Sequence, residues 1–232
     1  MLPIARAEVL ERIADSPATL ELRALALSPD VACYCSGQGL LLVDPGGELI
    51  GAVGQIVAEE LAGIYRAQPP GCDLLADATA HNALRPIIRF ERARILSLSS
   101  AWSSPRTAGC DIRRLDKDVA LDHLPTDLRE EIEGARQCKT VYAAFADAVP
   151  VCFSYAGWMT ETLADISVDT LAAYRRRGLA AATAIALIDE IITSGKSPVW
   201  GATENNTASL GLADKLGFRR PAGTVYVAAG WR

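Results

Sequence analysis

The chain has 232 residues and a formal net charge of −5, with 23 Lys plus Arg against 28 Asp plus Glu. That charge and a pI near 5.2 argue against a binder of nucleic acid or of membrane surface that relies on bulk positive charge, and the mean hydropathy of +0.16 is only slightly apolar. A hydrophobic fraction of 50% and a charged fraction of 22% are those of a globular protein rather than a disordered one. The opening segment MLPIARAEVLERIADSP carries Glu8, Glu11 and Asp15 and does not read as a signal peptide, and no apolar run is long enough for a membrane span. A cytoplasmic protein is expected. Six cysteines without a CxxC pair, and only His81 and His123 beside them, argue against a metal site. The cysteines are expected to be reduced and buried, with Cys33 and Cys35 on one face of a strand.

In chain order, a helix is expected over Ile4–Ala14. Two apolar runs then flank Asp44-Pro45-Gly46-Gly47, which reads as a hairpin turn. Helix is expected over Ile56–Ala67, strand over Asp73–Ala76, helix over Ala78–Ile88 and strand over Ala93–Ser99. The stretch Arg106–Gly109 is polar and turn-rich and reads as a linker. It divides the chain into domains at 1–105 and 110–232.

The second half opens with a strand over Asp111–Leu115. A helix follows from Pro125-Thr126-Asp127, where Asp127 and Glu130 have capping-box spacing. A second hairpin turns at Asp147-Ala148. Further strands are expected over Leu163–Val168, Pro198–Thr203 and Thr224–Ala228. Helices are expected over Arg176–Thr193, stopped by Gly195, and over Thr207–Leu216, stopped by Gly217.

One stretch carries chemistry. A strand ends at Val168, and the basic turn Arg175-Arg176-Arg177-Gly178-Leu179-Ala180 opens a long helix. The free N–H groups and dipole of a helix N-terminus favour an anion. Gly178 removes a Cβ from the approach, and Ala180 keeps the first turn thin. A solvated basic turn capping an ordinary helix has the same pattern. Neither GxGxxG nor GxxxxGK[ST] is present.

Further on, Asn206-Thr207-Ala208-Ser209 precedes LGLADKLGF. Here residues from about Asp111 to Val227 resemble the GNAT superfamily of acyl-CoA-dependent N-acetyltransferases. Their motif [RQ]xxGx[GA] corresponds to Arg175, Gly178 and Ala180. Their motif NxxAxxLYxKxGF corresponds to Asn206, Ser209, Leu212, Ala213, Lys215, Gly217 and Phe218. The resemblance implies an α+β fold with a GNAT-like mixed central sheet flanked by helices. It implies acetyl-CoA as cosubstrate, with pantetheine along the backbone of Ile166 and Val168. The pyrophosphate would sit on the N–H groups of Arg176, Arg177, Gly178, Leu179, Ala180 and Ala181, and Asn206 and Ser209 would lie beside the thioester end. A backbone N–H near Val168 would hold the oxyanion.

Three departures from the family stand in the sequence. The loop from Val168 to Gly178 is longer than usual. The Tyr that often protonates the leaving thiolate is Ala213, and the Glu used as base in one branch is Gly201. The catalytic candidates are therefore Glu161, the first choice, and Asp165 and Glu204. Each also reads as an ordinary strand-end, ion-paired or capping carboxylate. Tyr226 is a candidate thiolate acid or a core tyrosine. Tyr155, Trp158 and Trp200 are candidates to line an acceptor pocket or to fill the core. Cys152 has no nearby histidine to make it a nucleophile, and His123 reads as structural or exposed.

The first half has QIVAEELAG where the basic glycine turn would stand. It reads as a degenerate copy of the same fold that binds or restricts the acceptor. The function expected is transfer of an acetyl group to an amine, on a small molecule or a protein N-terminus. A homodimer is compatible with this. The alternative is an acyl-CoA-binding regulatory protein without catalysis.

Overall fold

The computed structural model describes residues 2–57, 74–86, 88–98, 102–105 and 109–228. The chain divides into two units. Residues up to Leu96, Gly201–Thr207 and the stretch from Pro221 make one, and Ser97–Trp200 with Ala208–Arg220 make the other.

The first unit begins with β1 (Leu2–Pro3), α1 (Arg6–Arg12) and α2 (Leu20–Leu27). Val9, Ile13, Leu22 and Leu25 bury the apolar faces of these helices. Arg6 donates to Leu27 O (3.2 Å) and Val31 O (3.1 Å), capping the end of α2, where carbonyls lack helical partners. The helix α2 was not legible in the sequence. Strands β2 (Ala32–Ser36), β3 (Gly39–Val43) and β4 (Leu49–Val53) form two antiparallel hairpins. The expected hairpin at Asp44–Gly47 is present. The run before it is a second hairpin, folded back at Gly37, whose φ of +58° a glycine adopts without strain. Cys33 pairs Leu42 and Cys35 pairs Leu40, so the two thiols share a strand face, and both are free.

Next come β5 (Leu75–Ala76), α3 (Ala78–Leu84) and β6 (Phe90–Leu98). Asp77 caps α3 by accepting from Ala80 N–H at 2.7 Å. Of the helix expected over Ile56–Ala67, residues 58–67 lie outside the described residues, as do linker residues 106–108. The last strand, β12 (Phe218–Ala228), sends its C-terminal part into this unit, with Tyr226 opposite Ala76. The sheet order of the unit is β1-β2-β3-β4-β5-β12-β6, and β4 and β5 run parallel. Leu41, Leu49, Leu74, Leu84 and Ile88 lie in its core.

The second unit contains β7 (Asp111–Arg114), α4 (Thr126–Cys138), β8 (Val141–Ala146), β9 (Val149–Met159), β10 (Leu163–Thr170), α5 (Leu179–Thr193), β11 (Ser197–Thr203, as far as Trp200) and α6 (Thr207–Lys215, from Ala208). Its sheet order is β11-β10-β9-β8-β7, antiparallel except for β10 with β11. The expected capping box does not form. Pro125 occupies the N-cap of α4 without a side-chain hydrogen bond, and Asp127 lies in the first turn, where its charge meets the helix dipole. The turn at Asp147-Ala148 is as expected, with φ of +49° and +65°, the conformation of a two-residue hairpin turn.

Side chains alternate across β9. Phe153 and Tyr155 join Ile132 and Ala135 of α4 in one core. Ser154 and Cys152 point the other way, to Thr183 of α5. The two helices therefore cover opposite faces of the sheet. Helix α5 starts three residues later than expected, and Gly195, with φ of +82°, ends it as expected.

Glu21 of α2 is half-buried, its Oε2 is buried without a hydrogen-bond partner, and burial pushes its pKa from 4.5 up to about 7. As pH rises, the unfolded chain gives up this proton first. Stability should therefore fall between about pH 4.5 and 7 and then level, by about 3 kcal/mol in all. Urea unfolding at pH 5 and pH 8 should show this slope in the natural chain and a flatter one in Glu21→Gln. An equal slope in both would show that Glu21 is not its source.

Candidate active site

Strand β10 is the axis of the second unit's site. It pairs in parallel with β11 from Leu163↔Ser197 to Asp165↔Val199. On its other side it pairs with β9 from Ala164↔Met159 to Thr170↔Cys152, with a register shift between Ala164 and Ile166. A bulge of this kind bends a strand. Beyond it, Ile166–Thr170 keep their β9 partners while the parallel register with β11 ends. The edge of β10 turned towards β11 thus presents backbone N–H and C=O groups to an extended ligand, and unpaired groups of this kind favour one. Ile166 and Val168, two of the expected cofactor residues, lie on this edge.

After Thr170 the chain makes a 3-10 turn over Ala172–Tyr174, which takes up the extra loop length. Arg175 Nε donates to Thr170 O at 3.2 Å. Arg177 donates to Ala173 O at 3.0 Å and lies over the Tyr174 ring at 5.0 Å. Arg176 has a φ of +63°, a strained conformation for a residue with a Cβ. Gly178, with φ of +81°, is the N-cap of α5. The first intrahelical bond runs from Ala182 N–H to Gly178 O, which leaves the N–H groups of Leu179, Ala180 and Ala181 without helical partners. Arg175, Arg176, Arg177 and Gly178 are exposed. The expected turn is therefore built as an exposed, cationic helix start.

A buried hydroxyl network fixes this helix start to the sheet. Ser154 Oγ donates to Thr183 Oγ1 at 2.7 Å, and both residues are fully buried. Thr183 Oγ1 lies 3.2 Å from Leu179 O, in the first turn. Cys152 Sγ is 3.0 Å from Thr170 Oγ1, and burial pushes its thiol pKa up. Cys152 is a packed thiol rather than a nucleophile.

The carboxylate candidates separate in space. Glu161 is exposed and precedes β10, at the end where β10 and β11 are paired, and its carbonyl accepts from Lys196 Nζ at 2.8 Å. Asp165 is half-buried at the bulge, where β10 leaves β11. Its carboxylate and the Ser167 hydroxyl lie over Gly157, where a Cβ would stand 2.6 Å from Ser167 Oγ and 3.5 Å from Asp165 Oδ2. Glu204 belongs to the first unit, where it pairs with Arg92 at 3.4 Å. Asn206 is also in that unit, directly ahead of α6.

Ser209 of α6 accepts from Trp200 Nε1 at 2.9 Å, so part of its hydrogen-bonding capacity is used inside the second unit. Trp200 and Tyr155 are 2% and 3% exposed and fill the core, while Trp158 is half-buried, 6.0 Å from Lys139 Nζ. Tyr226 stacks on His81 at 3.8 Å within the first unit. His123 is structural, with Nε2 donating to Pro150 O at 2.8 Å. The sequence reading missed one cluster. Tyr155 Oη contacts both Glu131 Oε1 (2.5 Å) and Asp169 Oδ2 (3.0 Å), and burial and the Glu131 charge raise the pKa of Asp169.

Residues 142–225 match the GNAT acetyltransferase family model. Solved structures with the GNAT fold cover nearly the whole chain. A GCN5-related N-acetyltransferase-like protein from Streptococcus suis superposes with a TM-score of 0.69 at 18% identity, over 96% of this chain and 98% of that one. A putative GNAT-family acetyltransferase from Novosphingobium aromaticivorans gives 0.60 at 20% identity, over 92% and 96%. A GCN5-related N-acetyltransferase from Kribbella flavida gives 0.63 at 13% identity, over 93% and 96%. No curated protein matches the chain. The fold is that of these proteins, a mixed sheet flanked by helices, and within it residues 142–225 are a GNAT acetyltransferase domain by the match to that family.

Proposed function

We propose that this chain is an acetyl-CoA-dependent N-acetyltransferase acting on an amine. One observation carries the reading: the edge of β10 left by β11 leads, within the same unit, to a cationic helix start with open N–H groups. An extended amide-bearing arm that ends in a pyrophosphate needs a strand edge followed by an anion site. In the proposal, the backbone of Ile166 and Val168 pairs with the pantetheine. The N–H groups of Leu179, Ala180 and Ala181 hold the pyrophosphate, with Arg175, Arg176 and Arg177 adding charge. Ser209 stays beside the arm. The reading of 1–105 as a degenerate copy and 110–232 as the catalytic domain belongs to the same proposal.

Acetyl-CoA supplies an activated acyl carbonyl. The chain must place the amine, remove its proton and hold the oxyanion. The base proposed is Asp165 rather than Glu161. Asp165 stands where the two strands part, whereas Glu161 is exposed beyond the paired end. An aliphatic amine titrates near the value of Lys, about 10.4, and reaches the site protonated. A half-buried carboxylate there would attract the cation and accept its proton, directly or through water. A backbone N–H near Val168 would hold the oxyanion. The acceptor is a small amine or a protein N-terminus.

One observation favours the non-catalytic alternative. Ala213, at the position of the usual thiolate acid, is fully buried and has no hydroxyl. Release of free thiol from acetyl-CoA against a panel of amines separates the two. Binding without release on any amine would support the regulatory reading.

Two variants test the assignment. Gly178→Asp puts a Cβ in a left-handed conformation and a carboxylate beside the anion site. Calorimetry should show acetyl-CoA affinity falling at least about tenfold, equivalent to about 1.4 kcal/mol. An unchanged affinity in a folded variant would overturn the assignment of the turn. Asp165→Asn should lower kcat/KM by about 10²-fold at pH 7 with acetyl-CoA affinity unchanged, and part of the loss should return at high pH. If Asp165→Asn turns over normally while Glu161→Gln does not, the base is Glu161.

A further inference from the structure

A phenol carries one proton. Tyr155 Oη lies 2.5 Å from Glu131 Oε1 and 3.0 Å from Asp169 Oδ2, so it can donate to only one of them. With both carboxyls ionised, the second contact would bring together two oxygens with no hydrogen between them. The phenol itself lies in dry surroundings, since Tyr155 is 3% exposed and packs with Leu115, Leu124, Ile132 and Phe153. An unmade contact between charged and polar oxygens is costly there. A proton on one carboxyl resolves it, because that carboxyl then donates to the phenol oxygen while the phenol donates to the other. The shorter contact is to Glu131, and Glu131 is exposed whereas Asp169 is half-buried. The phenol is therefore placed to donate to Glu131, which leaves Asp169, the less exposed acid, as the place for the proton.

Asp169 is one residue from Thr170, whose carbonyl holds Arg175, the first residue of the cationic turn. The charged and titratable groups acting on Asp169 are Glu131 of α4, Tyr155 of β9 and Arg175 beyond the 3-10 turn, and its own charge acts on the Cys152 thiol of β9. Burial and Glu131 raise its pKa, and Arg175 opposes them.

We propose that Glu131, Tyr155 and Asp169 hold one extra proton in common, resident on Asp169, and that this proton makes Asp169 a positioning residue for the anion-binding turn. While Asp169 is neutral, Arg175 is left to the ligand and the phenol bridge ties α4 to β9 and β10. When Asp169 ionises, it competes for Arg175, adds a negative charge beside the anion and sets two like charges against one phenol. Linkage is reciprocal, so a bound anion also makes the proton harder to remove. The second part of this proposal rests on acetyl-CoA binding at the turn, and the first part does not.

Two measurements on the full chain test it. Infrared spectra in a Glu21→Gln background, which removes another carboxyl that stays protonated near neutrality, should show a carboxylic-acid carbonyl band at pH 7. The band should vanish in Asp169→Asn and persist in the exposed control Asp118→Asn. No band before the Asp169 change, or a band lost only in Glu131→Gln, would overturn the shared proton on Asp169. Acetyl-CoA affinity, titrated from pH 6 to 9, should fall more steeply with pH in the natural chain than in Asp169→Asn. Parallel profiles would overturn the link to the turn. Tyr155→Phe removes the bridge without changing charge, and an Asp169 band unaltered by it would also count against the shared proton. A chain that binds no acetyl-CoA at any pH would overturn the cofactor reading and the link together, while the band alone decides the shared proton.

Discussion

A strand inside a sheet uses both of its edges, and a strand that gives up one edge must find another partner for its backbone groups. β10 does this after Asp165. Its register with β11 covers three residue pairs, while its pairing with β9 continues to Thr170. The bulge between Ala164 and Ile166 lies at the point of change and supplies the bend. The rest of the candidate site depends on this parting. It exposes the edge at Ile166 and Val168, sets Asp165 at the point of divergence, and directs the chain into the turn that ends at Gly178.

The helix start then has to stay fixed while remaining open at its N–H groups. The two demands are met on different sides of the helix. Ser154, Thr183 and Cys152 form a buried hydroxyl and thiol network beneath the first turn, with half-buried Thr170 at its edge. The exposed side is left to the arginines and Gly178. A glycine in the left-handed region ends one backbone course and begins another without steric cost. Arg176 accepts a similar conformation with a Cβ, so the turn is held by its surroundings rather than by local preference.

The opposite face of β9 and β10 has a different character. There a tyrosine and two acids meet against the core under α4, 24 and 14 residues apart in sequence. The sheet thus separates a neutral hydroxyl network under the anion site from a titratable cluster behind it, with Thr170 and Arg175 joining the two ends. Burial on both faces raises the cost of charge, as the upward shifts of Cys152 and Asp169 show.

What the sequence determined by itself was local. The hairpins at Asp44–Gly47 and Asp147-Ala148, the stop at Gly195 and the cationic opening of α5 rest on turn chemistry within a few residues, which composition and spacing express directly. The hairpin inside Ala32–Val43 turns at Ser36-Gly37-Gln38-Gly39, a break too short to separate its two apolar strands by periodicity, and α2 has boundaries that carry no side-chain cap. The role of each carboxylate was decided by tertiary structure. Glu161, Asp165 and Glu204 are alike as residues in a list of strand ends, and only strand pairing and burial give one of them the bulge, another an exposed position and the third an arginine partner. The same holds for Tyr155 and Asp169. Nothing in their spacing foretells a shared proton, because the contact depends on strand register and on a helix from elsewhere in the chain. Charge cost and hydrogen-bond partners are properties of surroundings, and long-range packing alone supplies the surroundings.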